Sequence, residues 1–137
     1  MSANAVLPDK YDLPKVIDAK THGFIDYGHA AFFLGMALLC RKKNPHAAVA
    51  ALATGTFVLV QSLLTDYPLG AQPVISFNLH GKMDAGFAAS SAVMPQIFGF
   101  TGTSAATIFR LNSLVESTVV ALTDWDSNKA RLQGMVD

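Results

Sequence analysis

The chain has 137 residues, the length of a single domain. Hydrophobic residues make up 51% of it and charged residues only 15%, a composition that excludes a disordered chain. Ten basic and ten acidic side chains cancel, which excludes nucleic-acid binding as a default because phosphate requires a basic surplus. The single cysteine, Cys40, excludes an internal disulfide and a cysteine-based zinc site.

Residues 1–20 are polar and predict a tail outside the membrane. The segment lacks the apolar core of a secretory signal peptide. Leu13, Val16 and Ile17 fall on one helical face, a pattern compatible with a short helix at the membrane interface.

Long segments without charge predict four transmembrane helices. Residues 44–65 contain no ionisable side chain except His46, and residues 85–109 contain none. Both reach the roughly 20 residues that cross a bilayer. Two further segments reach that length with a few polar interruptions. We therefore expect an all-α bundle of four transmembrane helices at about 22–40, 46–65, 79–100 and 104–123.

Polar residues and prolines predict where these helices begin and bend. Thr21 and Asn78 stand where an N-cap would accept backbone N–H groups ahead of the first and third helices. Asn44 followed by Pro45 predicts the start of the second helix. Pro95 predicts a kink in the third.

The chain contains an internal duplication. Residues 21–67 align without a gap on residues 79–125, at an offset of 58 that brings His22 onto His80 and Asp26 onto Asp84. We predict two tandem helical hairpins, 21–67 and 79–125, joined by loop 68–78 and followed by a polar tail, 126–137. Because each hairpin crosses the membrane twice, the pseudo-twofold axis should run along the membrane normal.

This topology predicts a cluster of ionisable side chains at one end of the bundle. The first and third helices begin at the membrane face where the second and fourth end. Six residues therefore lie near that face: His22, Asp26, Asp66, His80, Asp84 and Asp124. Charged groups in a membrane helix require partners. We expect bonds from Asp66 or Asp124 to an imidazole or a backbone N–H to lock the hairpins together.

The same cluster offers ligands for a metal. His22 with Asp26 and His80 with Asp84 form two His-x-x-x-Asp pairs on symmetry-related helices. Such a mixed set suits zinc, iron or manganese. Haem b is a further alternative, with His22 and His80 as the symmetric pair of axial ligands.

A second polar group is predicted deeper in the membrane. His29 and Glu116 lie at similar depth, about two turns in, and Asn112 shares the face of Glu116. The Glu116 carboxylate either bonds locally or belongs to a proton relay. Arg110 lies near the other membrane side, where its head group can reach water.

Small residues on the third helix predict a close helix contact. Gly81, Ala85 and Ala89 follow a small-xxx-small spacing. The pattern fits a contact inside the bundle and equally one with another protein.

The motifs resemble the SPW-repeat family of small bacterial integral membrane proteins. HGFIDY at 22–27 and TDYPLG at 65–70 match two of its motifs. MPQIFGF at 94–100 takes the place of the third, with Met94 and Gln96 where the family has Ser and Trp. The resemblance spans about 21–125 and implies four helices in a bacterial cytoplasmic (inner) membrane. It implies no activity.

Three functions follow from these residues. The first is a non-enzymatic accessory subunit or homo-oligomer that packs against lipid and other membrane proteins, with the His/Asp cluster as a lock. The second is a redox or sensor protein that binds a metal or haem at the cluster, and the third is a small proton or solute transporter. The sequence contains no nucleotide motif and no nucleophile–base pair, so it favours a protein without enzymatic activity.

Overall fold

The computed structural model describes residues 13–128 and is built from four long helices. These are α1 (Ala19–Cys40), α2 (Pro45–Leu64), α3 (Phe77–Ile97) and α4 (Ser104–Leu122). Two strands of two residues each, β1 (Thr65–Asp66) and β2 (Ile75–Ser76), pair in parallel in the connection between α2 and α3. The predicted all-helical architecture is thus confirmed.

Three of these helices, α1, α2 and α4, are long and apolar enough to cross a bilayer. Large apolar side chains on their outer faces are exposed, such as Leu39 at 83% and Leu114 at 66%. In water such surfaces would associate, whereas lipid accommodates them. Length and composition therefore support an integral membrane protein. The first half of α3 carries His80, Lys82 and Asp84, which lowers its hydropathy below that of the other three.

Two helices begin earlier than the sequence predicts. The N-cap of α1 is Asp18, not Thr21, and the hydrogen bond from the Thr21 backbone N–H holds the pKa of Asp18 below its usual value. The N-cap of α3 is Ser76, not Asn78. The predicted cap of α2, Asn44, is confirmed, with Pro45 as the first helical residue.

Extended backbone ahead of each helix explains these earlier starts. Ile17 forms a parallel bridge with Thr123, and Ile75 pairs in the same way with Thr65. The backbone is extended up to Ile17 and Ile75, and each helix starts two residues later, at Ala19 and at Phe77. The interfacial helix suggested for the N-terminal segment is therefore wrong for residues 13–18, where Val16 and Ile17 donate their backbone N–H groups to Leu122. Residues 1–12 lie outside the described part.

The third helix ends at Ile97, three residues before the predicted end. Gly99 adopts a left-handed φ of 72°, which terminates the helix. Pro95 lies inside α3, in its last turn, and the kink there stays a prediction.

The two ends of the bundle have different cores. At the end where α1 meets α2, Phe33, Phe100 and Phe109 pack on the small residues Ala47 and Ala51. At the other end Tyr67 and Phe77 form a smaller aromatic cluster with Trp125. The His/Asp residues lie beneath this second cluster.

The corrected cap of α3 gives a direct test of the fold. The Ser76 Oγ accepts the Leu79 backbone N–H at 3.2 Å, whereas Asn78 is exposed within the first turn. We expect Ser76→Ala to lower the free energy of unfolding in detergent by about 1 kcal/mol. Asn78→Ala is the matched control and should change it by less than about 0.5 kcal/mol. If Asn78→Ala lowered the free energy of unfolding more than Ser76→Ala did, Asn78 would be the N-cap instead.

Candidate metal centre

Four buried side chains converge at one end of the bundle. His22 and Asp26 lie one turn apart on α1, and His80 and Asp84 lie one turn apart on α3. One nitrogen or oxygen atom from each residue lies within 4.8 Å of the other three. The predicted pairing of the two His-x-x-x-Asp motifs therefore places all four side chains around one point.

Each imidazole faces both carboxylates through its Nε2 atom. The Asp84 Oδ2 lies 3.1 Å from Nε2 of His22 and 3.0 Å from Nε2 of His80. Asp26 presents one oxygen to each ring, Oδ1 to His22 and Oδ2 to His80, both at 3.4 Å. Two of these four contacts, His22 with Asp84 and His80 with Asp26, cross between α1 and α3, so the site joins the first helical hairpin to the second.

Threonine hydroxyls hold the opposite nitrogen of each ring. Nδ1 of His22 lies 2.9 Å from the Thr123 Oγ1, and Nδ1 of His80 lies 2.7 Å from the Thr65 Oγ1. Each hydroxyl donates its one proton to a backbone carbonyl four residues earlier, at 2.7 Å. It must then accept from the ring, so this network assigns the Nδ1–H proton to both histidines. Nε2 is the nitrogen left to face the carboxylates.

The carboxylates have further partners that fix their orientation. The Gln61 amide donates to the Asp84 Oδ1 at 2.6 Å, and the Tyr67 hydroxyl donates to the Asp26 Oδ2 at 3.0 Å. Burial raises the pKa of Tyr67, so its phenol stays protonated and remains a donor.

Aromatic rings cover the site on the side of the loops. Trp125 and Phe77 lie 4.9 and 5.5 Å from the His22 ring, measured between centroids. Trp125 lies directly over Gly81, where a Cβ would come within 2.8 Å of the indole. Gly81 therefore serves a contact inside the protein. The other members of the predicted small-residue stripe, Ala85 and Ala89, are exposed on the outer face of α3.

The two remaining acids of the predicted cluster lie outside this group. Asp66 is partly buried, and its backbone carbonyl accepts the Asn128 side-chain amide at 2.6 Å. The Asp124 carboxylate accepts the backbone N–H of Asp126. Sequence reasoning assigned the imidazole contacts to these acids, whereas the threonines immediately before them make the contacts.

The deeper polar residues pair as their depth predicts. Nδ1 of His29 lies 3.3 Å from the Glu116 Oε2, and both side chains are about nine-tenths buried. The Asn112 amide donates to the Ser91 Oγ at 3.1 Å. Arg110 is exposed near the start of α4, at the end of the bundle opposite the His/Asp group.

The ring geometry favours a metal ion over haem. The His22 and His80 rings meet edge to face, with centroids 5.2 Å apart. A haem iron held by both imidazoles would need its porphyrin plane between two rings that already touch.

Comparison of the chain with protein-family models, curated proteins and solved structures finds no match.

Proposed function

We propose that this chain is an integral membrane protein that binds one divalent metal ion through His22, Asp26, His80 and Asp84. The observation that carries the proposal is the spacing of the four donor groups. A tetrahedral ion with bonds of about 2.0–2.1 Å separates neighbouring ligand atoms by about 3.3 Å. The nitrogen–oxygen distances in this group run from 3.0 to 3.4 Å, with Asp26 presenting a different oxygen to each imidazole. With one ligand atom taken from each residue, the four atoms lie within 4.8 Å of one another, so a small movement of the side chains would close them around an ion.

The hydrogen bonds around the group also support a metal. A histidine ligand commonly donates its second ring N–H to a neighbouring acceptor, which orients the ring. Thr65 and Thr123 supply that acceptor here. With Nδ1 protonated, a neutral imidazole has its lone pair on Nε2, directed at two carboxylates. A cation between these atoms removes the repulsion of lone pairs and anions.

Charge neutrality favours a divalent ion. Two carboxylates and two neutral imidazoles carry a total charge of −2, which a divalent ion balances. Buried charge is costly in a membrane protein unless it is compensated. Zinc, iron and manganese all accept this mixture of nitrogen and oxygen ligands. The ion would tie α1 to α3, in keeping with a sensor or redox role.

Metal binding can be measured on the purified chain. We expect one zinc or cobalt ion per chelator-treated protein, with the intense visible absorption of tetrahedral Co²⁺. Asp26→Asn should weaken the affinity by at least about 100-fold, because it removes a ligand rather than an outer contact. Asp66→Asn, which leaves the four ligands intact, is the control and should bind as the unmodified chain does. A stoichiometry near zero in folded protein would contradict the proposal.

A second candidate function is a lock without metal. The crossed contact between His22 and Asp84, at 3.1 Å, has the geometry of a direct hydrogen bond between the two hairpins, for which His22 would carry a proton on Nε2 as well as on Nδ1. In this role the chain would be an accessory subunit or homo-oligomer of the bacterial inner membrane, with lipid and other membrane proteins as partners.

We also propose that α3 is a fourth span and that the hairpins are tandem repeats, as expected of the SPW-repeat family. Contacts that recur at an offset of 58 residues support this. His22 contacts Thr123 as His80 contacts Thr65. Gly23 lies against Tyr67 as Gly81 lies against Trp125.

A further inference from the structure

A groove of about 460 Å³ runs between α1 and α4 on the outer surface of the bundle. Its walls are apolar and include Phe32, Leu111 and Val115. Its lining also contains three polar residues, His29, Asn112 and Glu116. A membrane-facing groove with a buried ionisable pair is a candidate binding site for a lipid-soluble molecule with a polar end.

The groove on the other side of the bundle provides a comparison. Between α2 and α3, a groove of about 640 Å³ is lined mainly by apolar residues such as Phe57 and Val60. The residues at an offset of 58 from His29 and Glu116 are Phe87 and Val58, which pack together in an apolar cluster. Helix packing at these positions is therefore satisfied by apolar side chains, and the imidazole and carboxyl require another explanation.

Counting protons identifies what the groove lacks. Inside a membrane, His29 and Glu116 are stable as a pair with no net charge. A neutral carboxyl group can donate to Nδ1, or the imidazole can carry both protons beside a carboxylate, and Nε2 bears an N–H in both arrangements. In the remaining arrangement Nδ1–H donates to the carboxyl group, and the spare proton lies on the Glu116 hydroxyl. In each arrangement one proton serves the contact between the two side chains and the other needs an acceptor elsewhere. The His29 Nε2 atom is buried and makes no hydrogen bond of acceptable distance and angle with the residues the structure describes, because the neighbouring Asn112 amide is bonded to Ser91 instead. An acceptor oxygen at Nε2 would complete the site.

The depth of His29 in the membrane limits which molecules can place an acceptor oxygen beside it. His29 lies ten residues beyond the first residue of α1, about 15 Å along the helix axis. That is half the roughly 30 Å thickness of the hydrocarbon core. Ester carbonyls of glycerolipids lie at the edge of this core, whereas an uncharged ring with carbonyl groups can enter it. An anionic head group is disfavoured beside Glu116.

We infer that the groove between α1 and α4 binds the head group of a membrane-soluble quinone. A ring carbonyl accepts the proton of the His29 Nε2–H, and the ring and tail lie against Phe32, Leu111 and Val115. The site is separate from the metal centre and does not depend on it. No electron transfer is implied by the binding.

Photolabelling tests this inference on the full chain in lipid nanodiscs. The probe is a short-tailed quinone with an azido group, and mass spectrometry locates the labelled peptides. We expect labels on α1 and α4. The double variant His29→Phe with Glu116→Val, which introduces the residues found at the 58-residue offset, Phe87 and Val58, should reduce labelling at least tenfold. His29→Gln retains an N–H donor and should lose no more than about threefold.

Three controls make the result decisive. Phe57→Leu alters the opposite groove and should leave labelling unchanged. The double variant should keep its metal stoichiometry, so that failure here remains distinct from failure of the metal site. Labels on α2 and α3, or full labelling of the double variant, would overturn the inference. So would displacement of the probe by monoolein, an uncharged ester lipid, as effective as displacement by unlabelled quinone.

Discussion

Asp84→Asn is expected to lower the free energy of unfolding by about 3–5 kcal/mol, the largest effect of any single substitution in the candidate metal centre. The Asp84 Oδ2 contacts both imidazoles, at 3.0 and 3.1 Å, while its Oδ1 accepts the Gln61 amide. An asparagine that keeps its oxygen on the Gln61 amide would remove the charge and turn an N–H group, in place of an oxygen ligand, toward a bound metal ion. Unfolding in mixed micelles, followed by the loss of helical circular dichroism, measures the change.

The same measurement separates the two candidate functions. A ligand that binds only the folded state stabilises it by about 2.7 kcal/mol at 100 times its dissociation constant. Added zinc should therefore stabilise the unmodified protein and leave Asp84→Asn unchanged. If Asp84→Asn is destabilised equally with zinc and with chelator, and the unmodified chain gains nothing, the cluster is a lock without metal. Asp124→Asn, outside the ligand group, should lose less than about 0.5 kcal/mol.

The helices themselves could be predicted from the sequence, but their starting residues could not. A stretch of about 20 residues with little charge is a local property, and it located all four helices. The first residue of α1 depends instead on the bridge between Ile17 and Thr123, which are more than a hundred positions apart. No local pattern distinguishes Asp18 from Thr21 as the cap, because both residue types can accept the first backbone N–H groups.

The candidate ligand group could be predicted because the His-x-x-x-Asp spacing recurs in the sequence. Its threonine partners were missed for a specific physical reason. The sequence draws attention to Asp66 and Asp124 as charged residues in an apolar setting. Each follows a helix end in extended backbone, where successive side chains point to opposite sides. Thr65 and Thr123 therefore point inward and are fully buried, while the acids turn away. The recurring Thr-Asp pair does mark these positions in the sequence. The threonine of each pair contacts the imidazole, whereas the charge of the aspartate suggested that the aspartate would.

Gly70→Ala is expected to disturb the metal centre without touching any of its ligands. A Cβ at residue 70 would overlap the carbonyl oxygen of Thr65. The loop must then open, and Thr65 must move from the His80 Nδ1 that it holds at 2.7 Å. Because that contact orients the ring, we expect Co²⁺ affinity to fall about 10–100-fold. The free energy of unfolding should fall by about 1–3 kcal/mol.

Gly28→Ala is the matched control for this loop. Gly28 is exposed on α1, and a Cβ there meets no atom within 4 Å. Alanine also favours a helix more than glycine does, so this variant should be as stable as the unmodified chain or slightly more so. If the two alanine variants bind Co²⁺ equally well, the Thr65 contact does not orient His80. If Gly70→Ala alone loses affinity while keeping most of its helical signal, the loop between β1 and β2 controls the position of His80 from outside the candidate ligand group.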